Sequence, residues 1–67
     1  MHYDDEAFQR LVKERGVKYQ AVAAAMGIQP ATLYRKRKGM LDFTRNEIQR
    51  CCEFFGLNDM NDIFFAP

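Results

Sequence analysis

A glycine corner between two short helical patterns limits what this chain can fold into more than any other feature. The stretch runs from Tyr19 to Gly39, YQAVAAAMGIQPATLYRKRKG. Its first helical pattern covers Tyr19 to Met26 and its second Pro30 to about Lys38. Gly27 falls where the first helix must end, because glycine alone takes the left-handed conformation there without a Cβ clash. Gln29 is the expected N-cap of the second helix, its side-chain oxygen accepting from an otherwise unpaired amide. Pro30 then takes the first helical position, where its missing N–H costs nothing and its fixed φ is already helical. Two helices that cross steeply over three residues need a small side chain at the crossing, and Ala23 supplies it. Val22, Ile28 and Leu33 are the expected apolar contacts around the corner.

This is the pattern of a helix-turn-helix, whose second helix enters the major groove of DNA. Val22-Ala23 in the first helix, Met26-Gly27-Ile28 at the turn and Thr32-Leu33-Tyr34-Arg35-Lys36 in the second carry a family resemblance, closed by Lys38-Gly39. The chain resembles the helix-turn-helix repressors of the phage lambda Cro/repressor type, the XRE group. The resemblance covers nearly all of the sequence, because the flanking helices also fall where that family has them. It implies an all-α fold, a compact five-helix lambda-repressor-like DNA-binding domain formed as one unit over residues 1–67. The function it implies is that of a Cro-like transcriptional repressor or regulator from a phage or bacterium, inserting helix 30–38 into an operator. One such domain spans only a few base pairs, so two copies on a palindromic double-stranded site are expected.

Arg35-Lys36-Arg37-Lys38 is the loudest chemical signal. At 100° per residue four consecutive cations wrap most of a helix and cannot all meet one base step. Arg35 lies opposite Leu33, which makes it the candidate for a two-bond contact to guanine. Gln29, Ala31, Thr32 and Tyr34 complete the expected base-reading face. Lys36, Arg37 and Lys38, toward the helix end, suit the dipole and are candidates for phosphate contact. Arg45 and Asn46 stand beside a second helix start whose amides are candidates for phosphate. Tyr19 and Gln20 match positions that in the family commonly touch the DNA backbone; a half-buried surface aromatic and a solvent-facing amide are the alternatives. Two departures keep the family from revealing a base preference. Pro30 stands where many relatives carry a polar base reader. Lys36 and Arg37 stand where relatives close the helix on an apolar residue, and here alkyl stems are expected to pack while the charges reach water.

Charge placement supports the same partner. Residues 18–50 carry seven Lys and Arg against two acids, a net +5, whereas residues 1–17 carry −1 and residues 51–67 carry −3. The overall +1 hides this segregation, and a polyanion would meet the middle of the chain. At 67 residues and 48% apolar content, one small core is the most the chain can build. No apolar run approaches the roughly 18 residues of a membrane span, and no basic-then-apolar leader opens the sequence. A cytoplasmic, nucleoid-associated protein with no membrane partner is therefore expected.

Enzyme chemistry is not expected. The chain has no Ser, its acids Asp4, Asp5 and Glu6 are adjacent and not arranged as an acid/base pair, and a single His2 leaves zinc without ligands. Cys51 and Cys52 are helix neighbours that cannot pair with each other, and they read as core residues of a reducing compartment. No cofactor or small-molecule ligand is implied. A protein-interaction module such as an antitoxin or antirepressor is the alternative on the same fold. RNA binding is disfavoured, since stacking aromatics are few beyond Tyr19 and Tyr34.

Outside the central motif, residues 4–15 read as a first helix capped by Asp4 or Asp5, with Phe8, Leu11 and Val12 inward. Lys18 is a poor cap for the second helix, whose start is weakly specified. The apolar members of Met40-Leu41-Asp42-Phe43 are expected to tuck under the helices. Thr44 to Glu47 spells a capping box for a helix carrying Ile48, Cys51, Cys52 and Phe55 on one face and stopped by Gly56. A last short helix is expected from Asp59 to about Phe65, with Ile63 and Phe64 inward. Leu57, Phe64 and Phe65 are the dimer-seam candidates, since only one of the two adjacent rings can face the core.

Overall fold

The computed structural model describes residues 2–67. Its order is α1 (Asp5–Arg15), α2 (Tyr19–Met26), α3 (Pro30–Arg37), α4 (Arg45–Phe55) and α5 (Asn61–Phe64). Among the described residues the only β feature is an isolated antiparallel bridge between His2 and Ala66. The fold is all-α with a helix-turn-helix at its centre.

Local chemistry explains most boundaries. Asp4 caps α1 by accepting from the Ala7 amide at 3.1 Å, which leaves Asp5 free for other work. At the start of α4 the reciprocal box forms: the Glu47 amide donates to Thr44 Oγ1 at 3.2 Å, and the Thr44 amide donates to Glu47 Oε1 at 2.9 Å. At the corner Gly27 sits at φ 78°, and a Cβ built there would also strike the Arg50 guanidinium. Helix α5 is shorter than expected, beginning at Asn61, because Asp59 spends its carboxylate on the Asn61 amide just ahead of the first turn.

The core gathers Phe8, Val12, Val22, Ala23, Met26, Leu33, Cys51, Phe55, Met60 and Phe64. Helix α2 packs on both α3 and α4, while α1 packs on α5. Ala23 is 0% exposed, as the crossing requires. Leu11 and Ile48 lie at the core's edge, half-buried. Two expectations need correction. Of the loop after α3 only Phe43 tucks in, its ring 4.9 Å from those of Tyr3 and Phe64, while Met40 and Leu41 stay in solvent. Met40 and Leu41 fall in the bend just after the end of α3, and Phe43 is the loop residue that reaches the Tyr3 and Phe64 rings. Phe64 itself is 5% exposed and belongs to the core, so it leaves the set of seam candidates; Phe65, at 46%, remains. Leu57 is half-buried against the core.

The two ends of the domain are tied together. The His2 amide donates to the Ala66 carbonyl at 2.9 Å and the Ala66 amide returns a bond at 2.8 Å. The Asp4 amide donates to the Ile63 carbonyl at 2.7 Å. No helical periodicity announces this pairing, because it joins extended residues at opposite ends of the chain. The Arg15 guanidinium adds a further tie, donating to the Phe55 carbonyl at the end of α4 at 2.7 Å.

Candidate nucleic-acid interface

Helix α3 shows how its residues divide between the core and solvent. Leu33 is the buried anchor. Ala31, Tyr34, Arg35 and Lys38 are exposed, Thr32 is half-buried and Gln29 is exposed just ahead of the helix. Gln29 does not cap α3: its side chain makes no bond to the helix amides, although its carbonyl accepts from Leu33 at 3.0 Å. The amides of the first turn thus lack the cap that the sequence suggested. Helix α2 likewise starts without a side-chain cap at Lys18, and Gln20 in its first turn is exposed. The flanking helices α1 and α4 are both capped by side chains. The two helices of the corner therefore present bare, positively polarised N-termini.

The basic run is split in two. Arg35 and Lys38 point outward, and Lys38 Nζ lies 5.4 Å from the centre of the Tyr34 ring. Lys36 and Arg37 turn inward, three and four residues after Leu33, which is the spacing of one helix face. Lys36 is 8% exposed. Its ammonium donates to the Asp42 carbonyl at 2.7 Å and pairs with Glu47 Oε1 at 2.9 Å. The expectation that its charge would reach water is overturned, because a carbonyl and a carboxylate wait at the end of its stem. Arg37 donates from Nε to Asp5 Oδ1 at 2.9 Å and from its terminal nitrogen to Asp5 Oδ2 at 3.2 Å. Its guanidinium carbon stands 4.2 Å from the centre of the Tyr19 ring. Tyr19 is accordingly half-buried beneath Arg37 and against Phe8. Arg45 and Asn46 are exposed at the start of α4, but two donors there are already used by the capping box.

Asp5 is the residue the sequence reading missed. Besides both Arg37 bonds it accepts from the Tyr3 hydroxyl at 2.7 Å and from Gln9 Nε2 at 2.7 Å. Burial alone would raise its pKa, but the hydrogen bonds from Arg37, Tyr3 and Gln9 outweigh that and hold it below 3.8. Glu47 behaves alike: partial burial pushes upward, and the Thr44 amide and Lys36 ammonium bring it below 4.5. The spacing from Leu33 to Lys36 and Arg37 was the available signal. Which acids would meet them was not in the sequence.

These shifts fix the sign of an acid response. Both carboxylates have pKa values lower in the folded than in the unfolded chain. Their stabilisation is complete above the ordinary values of 3.8 and 4.5 and declines as pH falls through the folded values. Urea unfolding followed from pH 7 down to pH 3, as an order-of-magnitude window around ordinary carboxylate pKa values of roughly 4, should show stability falling. In Asp5→Asn the fall should be shallower, and an unchanged slope would show that Asp5 carries none of it.

Among the described residues nothing resembles a nucleophile poised for catalysis. Burial pushes the Cys51 thiol up to about 12, so it is not a thiolate near neutrality. Among the described residues no helix is long and apolar enough to cross a membrane. A small-residue crossing, a left-handed glycine and a second helix that projects an arginine define a helix-turn-helix domain whose class binds DNA. Residues 7–65 match the family model of the Cro/C1-type HTH DNA-binding domain, and the chain belongs to that family. No curated protein and no solved structure matches it. DNA is thereby its partner.

Proposed function

We propose that this chain is a Cro-like transcriptional repressor that places α3 in the major groove and occludes a promoter. The outward projection of Arg35 opposite the buried Leu33 carries the reading, since it aims a planar two-donor fork away from the core. Gln29, Ala31, Thr32 and Tyr34 share that face and contact base edges or thymine methyl groups. Lys38, Gln20, Arg45 and Asn46 hold the sugar-phosphate rails, with the bare amides at the start of α2 taking a phosphate oxygen. Lys36 and Arg37 are left out of this set, and Tyr19 contributes by supporting Arg37. Two copies bind a palindromic operator, and the exposed Phe65 ring is the favoured seam between them.

Selection from a random duplex pool tests this directly. A palindromic consensus should emerge, and affinity for it should fall linearly in log salt by about 0.9 per phosphate contact. A pool without enrichment, or a slope near zero, would overturn the proposal.

A further inference from the structure

Helix α3 is two turns long and carries one apolar anchor, Leu33. Beyond it the inward positions are Lys36 and Arg37, so the C-terminal turn has no buried apolar side chain. Two ionic attachments hold it instead. Arg37 reaches α1 through the two-bond pair with Asp5, and Lys36 reaches the start of α4 through Glu47 and the Asp42 carbonyl. The side chains of Arg37 and Asp5 are 13% and 24% exposed, and those of Lys36 and Glu47 are 8% and 13%. All four are mostly covered.

We propose that Asp5–Arg37 and Lys36–Glu47 are positioning pairs that set the angle at which α3 enters the groove. They serve specificity without touching DNA. The inference rests on the proposed placement of α3 and adds the device that makes its reading accurate. A fork-to-carboxylate pair fixes orientation as well as distance, because both of its bonds must stay aligned. Tyr3 and Gln9 hold the Asp5 carboxylate, and the Tyr19 ring lies against the guanidinium, so the pair itself has little freedom. The three-residue turn from Gly27 to Gln29 is the covalent link at the N-terminal end of α3. At about 1.5 Å per residue, Arg35 lies roughly 7.5 Å along the helix from Pro30. A swing of about 10° would displace it by about 1.3 Å, beyond the tolerance of about 0.5 Å that a two-bond contact allows. Attachments to α1 on one side and α4 on the other oppose that swing.

The test uses substitutions that retain size and, where possible, charge. Asp5→Asn frees Arg37 without removing it, Arg37→Lys keeps the cation and loses the fork, and Glu47→Gln keeps the capping box and loses the ion pair. Affinities are measured for the selected operator and its single-base variants at several salt concentrations, below the melting temperature of each protein. Each variant should lose about tenfold in discrimination, within what a lost two-bond base contact gives, at an unchanged salt slope. The charge-exchanged double variant Asp5→Arg with Arg37→Asp should recover part of it. Two binding results would overturn the inference. A salt slope reduced by about one unit in Arg37→Gln with discrimination intact would make Arg37 a phosphate contact. Discrimination and slope both unchanged in Asp5→Asn and Glu47→Gln would leave the pairs a role in stability alone. Residual dipolar couplings of the free protein give a readout that needs no DNA. The axis of α3 should tilt relative to α2 in Asp5→Asn, and an unmoved axis also overturns the inference. Absence of base preference in the unsubstituted chain would instead sink the proposed function, with the tilt still deciding this one.

Discussion

Arg35→Ala should cost about 1–3 kcal/mol on the best operator and flatten the preference at one base pair. The reason is geometric. Arg35 is exposed on the side of α3 away from Leu33 and makes no ion pair among the described residues. Its fork is therefore free to match the two major-groove acceptors of guanine. Lys38 should behave differently. It sits past the last helical residue, beside Gly39 at φ 81°, where the backbone turns away from the helix axis. Lys38→Ala should weaken all sequences about equally and lower the salt slope by about one unit. Affinities for the selected operator and its single-base variants, at two salt concentrations, separate the two roles. If Arg35→Ala lowered every affinity alike while Lys38→Ala erased one preference, α3 would lie rotated in the groove from the proposed placement.

Ala23→Leu should destabilise the domain by about 1–3 kcal/mol through overpacking. Ala23 is fully buried, and its carbonyl accepts from the Ile28 amide at 3.0 Å, so backbone and side chain are both confined at the corner. A leucine there must part α2 from α3 or distort the turn, because Val22, Met26 and Leu33 already fill the surroundings. For a domain of this size each kcal/mol lowers the melting temperature by roughly 4–8 °C. Thermal unfolding followed by circular dichroism measures it. An unchanged melting temperature would mean that the crossing tolerates bulk and that Ala23 does not set the approach of the helices.

The corner was legible in the sequence because it rests on local rules. Gly27, Pro30 and the spacing of Val22, Ala23 and Leu33 each act within a few residues, and α2 runs over the expected Tyr19–Met26. The capping box at Thr44 and Glu47 was legible for the same reason, since its two bonds close within one turn. The family could be read from these elements together, and residues 7–65 match its model.

The division of the basic run was decided only by tertiary structure. Helical spacing places Lys36 and Arg37 on the side of Leu33, but an inward cation needs a partner, and the partners lie outside α3, where helical spacing cannot place them. Asp5 is 32 residues from Arg37. The Asp42 carbonyl and the Glu47 carboxylate meet Lys36 only because the loop after α3 turns back beneath it. The exposure of Met40 and Leu41 has the same origin: apolar content made both core candidates, but only Phe43 of that loop reaches the rings of Tyr3 and Phe64. Gln29 had the side chain to cap α3 but leaves the amides bare, and the pairing of residues 2 and 66 depends on both ends arriving together. Hydrophobic spacing and turn chemistry act along the chain and can be read from it. Ion pairs between distant segments depend on where the whole fold brings them.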